Sequence, residues 1–417
     1  MPAPAVRPTL PRHPCAHPGT AIRNHALAAG GASAPAAQAS LARSTAVLVV
    51  LTAIASTYCV AVRAQPAGWS VGGFVDVAAA SRALELGERD KGLGLGHSDL
   101  SAGGPLGAHL DARATVAAHT IDQRLEFDLE EAWLQTRTLP AGLQLRAGRF
   151  ASQIGYLNER HPHADDFVER PLLYRAFLGG HWFDDGVRIN WTAPTDVFLR
   201  IGAEFFSGRE LIPEASTASA PGATVLSAKL GADWGRSQSW QLGAGYLNNR
   251  RQAVVEDPDA HEAHEAGQDD HAHGARFSGE HLWLVDLAWK WAPDGNNRLQ
   301  QLRLSAEYAR VTDPGPGAGS SDLHEAMTLS LAWRFLQQWE LGVRADWLKV
   351  AMPHEDGYET GRLREQALML AWKPTHAQTL RLQLTTQNGA VGFDAPARQT
   401  VQLQYVLGLG GHPAHAF

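Results

Sequence analysis

Leu282-Trp283-Leu284-Val285-Asp286-Leu287-Ala288-Trp289-Lys290-Trp291 decides the fold. Trp283, Val285, Leu287, Trp289 and Trp291 are large and apolar, while the intervening set includes Asp286, Ala288 and Lys290. Side chains that share a face at every second residue belong to a β-strand; a helix would scatter the same apolar groups around its circumference. The pattern recurs along the chain. Leu302, Leu304, Ala306 and Tyr308 oppose Arg303, Ser305, Glu307 and Ala309; Leu341, Val343, Ala345 and Trp347 oppose Glu340, Gly342, Arg344 and Asp346. Leu380, Leu382 and Leu384 oppose Arg381, Gln383 and Thr385, and Val197, Leu199, Ile201, Ala203 and Phe205 oppose Arg200, Gly202 and Glu204.

Such alternation has two solutions: a soluble antiparallel sheet with one wet face, or a membrane barrel whose apolar face meets lipid. No stretch after Ala64 is long and apolar enough to span a bilayer as a helix, so a spanning chain must use a closed sheet. Connection lengths favour the barrel. Short links (139–141, 193–195, 235–237, 293–297, 336–338 and 374–377) alternate with longer polar ones at 152–185, 207–222, 249–279, 311–322, 351–361 and 389–398. Short turns at one rim and long loops at the other are the outer-membrane arrangement. Trp69, Trp191, Trp234, Trp240, Trp291, Trp333, Trp339 and Trp372 near strand ends suit aromatic girdles. The alternating runs predict about sixteen strands, or fourteen if Gly-rich 92–118 belongs to a long first loop. The last strand is 400–409.

The start of the chain reads as an address. An apolar run from Thr45 to Val62 follows Arg43 and leads into Ala61-Val62-Arg63-Ala64-Gln65, whose Val62 and Ala64 occupy the positions of an export cleavage site. Residues 1–64 are therefore read as a removed export signal region and 65–417 as the barrel; a transmembrane anchor is the alternative for the same run. Both cysteines, Cys15 and Cys59, fall in the signal, so the mature chain has no thiol chemistry. Of 417 residues, 36 are Lys or Arg and 43 Asp or Glu. Removing the five arginines of residues 1–64, which hold no acid, leaves 31 basic against 43 acidic groups, net −12. That balance excludes a general nucleic-acid partner.

By period, Arg146, Arg200, Lys290, Arg303, Arg344 and Arg381 point inward with Glu126, Asp128, Glu204, Asp286, Glu307, Glu340 and Asp346. Each would cost ~2–4 kcal/mol on the lipid face at the midplane. Inside they imply either a hydrated lumen or one filled with paired charges. The loop 152–185 carries Phe167, Val168, Leu172, Leu173, Tyr174, Phe177 and Leu178, which need a surface to bury against. It is expected to fold inward and narrow the pore. Within it His161, His163, Asp165 and Asp166 are candidates for holding a cation, or alternatively for salt bridges with Arg160, Arg170 and Arg175.

This block also carries a resemblance. Gly148-Arg149-Phe150, then Gly155-Tyr156-Leu157-Asn158-Glu159 with His161-Pro162-His163, Phe167-Val168 and Pro171-Leu172-Leu173-Tyr174-Arg175-Ala176-Phe177, resembles a family of porin-like proteobacterial outer-membrane proteins. Its members are often described as zinc-regulated, or loosely as TonB-dependent receptors. The resemblance implies a Gram-negative outer-membrane barrel linked to metal supply. The receptor label fits poorly, because such receptors have about 22 strands and a plug.

A second candidate site is the loop 249–279, where His261, Glu262, His264, Glu265, Asp269, Asp270, His271 and His273 concentrate imidazole and carboxylate donors. These suit a divalent transition metal, above all Zn²⁺, though a solvated acidic loop would have the same composition. No cofactor is required. No G-x-S-x-G elbow occurs and no Ser–His pair is favoured by spacing, so no enzyme is expected. The sequence reads as a porin-like channel for small solutes that assists metal acquisition, the alternative being a non-conducting metal-binding or adhesive barrel. Its expected partners are the lipid bilayer, the barrel assembly machinery and small solutes or metal ions, and oligomers are compatible with the reading.

Overall fold

The computed structural model describes residues 68–212, 221–251, 274–355, 357–393, 395 and 398–410. The segment read as an export signal, both cysteines and the His/acid cluster at 257–273 lie outside the described residues. Sixteen antiparallel strands form a closed barrel. They are β1 (Ser70–Ala80), β2 (Gly92–Leu95 continuing as Ser98–Leu106), β3 (Leu110–Ile121), β4 (Arg124–Thr136), β5 (Leu143–Ala151), β6 (Phe183–Thr192), β7 (Phe198–Phe206) and β8 (Ala223–Trp234). The circuit continues with β9 (Gln238–Asn249), β10 (His281–Trp291), β11 (Gln301–Thr312), β12 (His324–Leu336), β13 (Trp339–His354), β14 (Gly357–Thr375), β15 (Gln378–Ala390) and β16 (Arg398–Gly410). Each strand pairs with the next, and β16 returns to β1 in register from Gly72↔Gly410 to Ala80↔Gln402. Closure leaves no unpaired edge, which is what a sheet surrounded by hydrocarbon requires. Among the described residues no helix is long and apolar enough to cross a membrane.

The two-residue period sets the faces. Val285, Leu329, Val343, Leu368, Leu382 and Leu403 are exposed on the outside. Their neighbours Asp286, Thr328, Arg344, Gln383 and Gln402 are buried inside. Exposed Trp191, Trp234, Trp333, Trp339 and Trp372 ring the short-turn rim, and Trp283 and Trp347 stand toward the opposite rim. The Gly-rich segment belongs to the wall, as β2 and most of β3, so the expected sixteen strands are found and the fourteen-strand alternative falls away. The long links expected at 351–361 and 389–398 also shrink, because β13, β14 and β15 extend into them. On the inner face near the long-loop rim the alternation changes chemistry: Leu282, Leu284, Ala309, Val311, Leu348 and Leu363 point inward and are buried.

That apolar collar exists because the loop between β5 and β6 lies inside the barrel. Its helix α1 (Leu172–Phe177) follows Pro171, and all six residues are buried. Leu172, Leu173, Tyr174 and Phe177 pack with the collar in one core cluster. Burial of each such side chain is worth roughly 1.5–3 kcal/mol, so the inward fold needs no bound partner. The bonds holding it reach across the lumen. Tyr174 Oη donates to Glu307 Oε2 of β11 (2.5 Å), Val168 N to Gln383 Oε1 of β15 (2.8 Å), and Gln402 Nε2 of β16 to Glu169 Oε1 (2.7 Å).

Two irregularities shape the wall beside this loop. β1 pairs Phe74 with Asp99 and Val77 with Leu95, so β2 carries one extra residue at the break around Gly96 and His97. A side chain at Gly96 would collide with Arg89 and Asp76, which explains glycine there. In β4 the register to β3 shifts between Thr115↔Glu131 and Val116↔Leu129, leaving Glu130 as the bulged residue. A bulge re-aims side chains that strict alternation would send to opposite faces. Glu130 and Glu131 are consequently both buried.

Candidate metal site between the lumen loop and the wall

The segment Arg160–Asp166 crosses in front of the two bulges. Leu157 O accepts from Arg160 N (2.9 Å), His161 O from Ala164 N (2.9 Å) and Pro162 O from Asp165 N (3.1 Å). The single 3-10 turn Pro162–Ala164 thereby places His161 and His163 on the same side as the wall residues. There His163 Nδ1 lies 3.0 Å from Asp99 Oδ2, His97 Nε2 3.7 Å from the same oxygen, and His161 Nδ1 3.9 Å from it. Glu130 Oε2 is 3.3 Å from His97 Nε2 and 3.5 Å from His161 Nδ1. One donor atom from each of His97, Asp99, His161 and His163 falls within 4.8 Å of all the others. The side chains of Asp99 and His163 are each 4% exposed, so their contact is shut off from bulk water.

The donors are held from behind. Phe74 stacks on His163 with centroids 3.5 Å apart and planes 13° from parallel. The far nitrogen of His161, Nε2, faces Glu131 Oε2 at 3.4 Å. Glu131 is itself fixed by Thr115 Oγ1 (2.8 Å), Trp133 Nε1 (3.1 Å) and Arg113 Nε (2.9 Å). His181 stands beside His161, centroids 5.6 Å apart, with its Nε2 2.6 Å from Asn158 O. The loop imidazoles feel this setting differently. Burial lowers His161, but hydrogen bonding to Glu130 and Glu131 and the charge of Asp99 outweigh it and raise the ring to about 10. For His163 burial wins over Asp99 and lowers the ring to about 4.

The other residues of the loop motif go elsewhere. Asp165 pairs with Arg170 Nε at 2.8 Å and Asp166 with Arg303 Nη2 at 2.7 Å, so neither joins His161 and His163 as a cation ligand. The salt-bridge alternative thus describes the aspartates, while His161 and His163 stand with His97 and Asp99. Arg160 Nη1 donates to Tyr156 Oη (3.1 Å), and Arg175 Nη2 pairs with Glu365 Oε1 of β14 (2.6 Å). The wall charges face inward: Arg146 binds Gln135 and lies over Trp133, Arg200 pairs with Glu159 (2.6 Å), and Glu204 with Arg188 (2.5 Å). Arg344 pairs with Asp346 (2.7 Å) and Glu365 (2.5 Å), while Arg381 Nη1 donates to Gln404 Oε1 (2.7 Å). Asp286 and Glu307 are buried, and Lys290 is half-buried on the same wall. Sequence reasoning missed His97, Asp99, Glu130 and Glu131. The adjacent carboxylates of Glu130-Glu131 in an alternating strand were the available signal.

A cavity of about 380 Å³ opens beside the cluster, lined in part by Leu86, Arg89, His97, Glu130, Pro162 and His181. Its walls join the link after β1 to the upper ends of β2, β3 and β4, where the β3–β4 connection is only Asp122 and Gln123.

The barrel has counterparts among proteins of known structure. It is similar to an outer-membrane expressed OmpT of Vibrio cholerae (TM-score 0.51, 12% identity, covering 83% of this chain and 99% of that one). It is also similar to an anion-selective porin from Comamonas acidovorans (TM-score 0.50, 12% identity, 82% and 99%) and to the high-pH structure of Pseudomonas putida OprB (TM-score 0.51, 14% identity, 82% and 94%). The fold is that of the outer-membrane porins. In sequence the chain is 26% identical over 359 residues to an uncharacterised protein of Aquifex aeolicus, covering 80% of this chain and 71% of that protein. No family model matches the chain.

Proposed function

We propose that this protein is a porin-like channel for small solutes in the Gram-negative outer membrane, delivered there by its export signal and the barrel assembly machinery. The reading rests on one observation: a closed barrel of sixteen strands is apolar outside and charged inside, with a long loop inserted between its walls. Barrels of about 16–18 strands are wide enough to leave an aqueous channel, which the inserted loop then narrows. Arg303, Asp166 and Glu340 on one side, and Arg200 and Glu159 on another, line that interior with near-balanced charge. A solute passing them would be discriminated by size more than by sign.

The external loop 249–279 extends the proposal toward metal supply: His261, His264, His271 and His273 with their acidic neighbours would collect divalent metal, Zn²⁺ foremost, ahead of the pore. Planar bilayers test the channel. Folded protein is expected to give discrete conductance steps; folded protein that inserts yet never conducts would replace this reading with a non-conducting surface barrel.

A further inference from the structure

We infer that the lumen holds a transition-metal site of its own, built by His97 and Asp99 of the β2 break and His161 and His163 of the inserted loop, with Glu130 as an adjoining ligand. The inference is independent of whether the barrel conducts and of the external histidines. A tetrahedral zinc ion with bonds of ~2.0–2.2 Å spaces its donors roughly 3.3–3.6 Å apart. The donor atoms around Asp99 Oδ2 stand at 3.0, 3.7 and 3.9 Å from it and all four lie within 4.8 Å of one another, so binding would draw the imidazoles together by up to about an ångström. Three imidazoles and a carboxylate are borderline ligands that favour Zn²⁺ and its neighbours, whereas Ca²⁺ and Mg²⁺ take oxygen shells.

Three further features point to a ligand. His97 Nε2 and His161 Nδ1 are buried and converge on the buried Glu130 Oε2 at 3.3 and 3.5 Å, longer than a charge-assisted hydrogen bond. Buried polar groups are nearly always satisfied, and a shared cation would satisfy these together. Behind His161, the Nε2···Glu131 contact reproduces the carboxylate–histidine pairing that orients metal-bound imidazoles, and Thr115, Trp133 and Arg113 hold that carboxylate in turn. Finally, His97 and Glu130 line the cavity while Asp99 lies behind them, which gives an ion an entry from the long-loop side. Because the ligands come from both wall and loop, a bound ion would also tie the loop to β2.

Zinc titration of the full-length protein, folded in detergent, tests the site, with X-ray absorption at the zinc edge and thermal unfolding as added readouts. The expected result is one tight zinc with an imidazole-containing N/O shell and a zinc-dependent rise in unfolding temperature. Both should persist when His261, His264, His271 and His273 are all changed to Ala. The pair His97→Ala with His161→Ala should abolish this site, and Asp99→Asn, which keeps the side chain's shape, should weaken it by ~10–100-fold or more. Calcium should not compete. Loss of the tight zinc in the external-loop variant, unchanged affinity in folded Asp99→Asn, or equal competition by calcium would overturn the assignment.

Discussion

At Glu365 the inserted loop meets the wall with charges in register: Oε1 takes Arg175 of the loop at 2.6 Å and Arg344 of β13 at 2.5 Å, and Oε2 accepts from Gln387 at 2.7 Å. At Asp99 the same loop meets the wall with donors crowded around one point and no well-formed hydrogen bond among several of them. Both regions are buried and polar. The difference separates a fastening from a site, because opposite charges paired at 2.5–2.6 Å stabilise what they join, whereas buried groups that converge on a carboxylate only at 3.3–3.5 Å are retained against their desolvation cost.

The contrast breaks most readily at the fastening. Glu365→Ala leaves Arg175 and Arg344 without their shared carboxylate, and removing one partner of a buried pair costs about 3–5 kcal/mol. Urea unfolding followed by tryptophan fluorescence should show that loss; wild-type stability would mean the network fastens nothing. Tyr174→Phe is expected to cost about 1–3 kcal/mol, since Glu307 loses a 2.5 Å donor and Leu157 N its acceptor. The same measurement checks it, and no change would show that the loop is held by apolar packing alone. The smallest effect belongs to the site. In metal-free protein His97→Ala should alter stability by no more than ~1 kcal/mol in either direction, as expected where stability has been ceded to a binding geometry. A loss as large as that of Glu365→Ala would show the cluster to be a second fastening and erase the distinction.

Much of the barrel was legible in the chain, for a local reason. Trp283 and Asp286 must face opposite ways in any strand, and Leu382 beside Arg381 repeats the choice. The Gly-rich β2 and β3 were harder to read, since glycine has no side chain to declare a face. In the site, His161 and His163 were conspicuous because they flank a proline in a dense motif, yet Asp165 and Asp166, equally conspicuous, turn out to neutralise Arg170 and Arg303. Glu130 and Glu131 were concealed by the alternation itself, which allows only one of two neighbours to face inward.

Sequence alone determined that the strands close around a polar interior, because side-chain alternation is a property of consecutive residues and hydrocarbon rejects charge. Tertiary structure alone decided which polar residues meet. Two one-residue bulges and the path of one loop bring positions 97, 99, 130, 161 and 163 together, and neither a bulge nor a loop's path is written in a period of two.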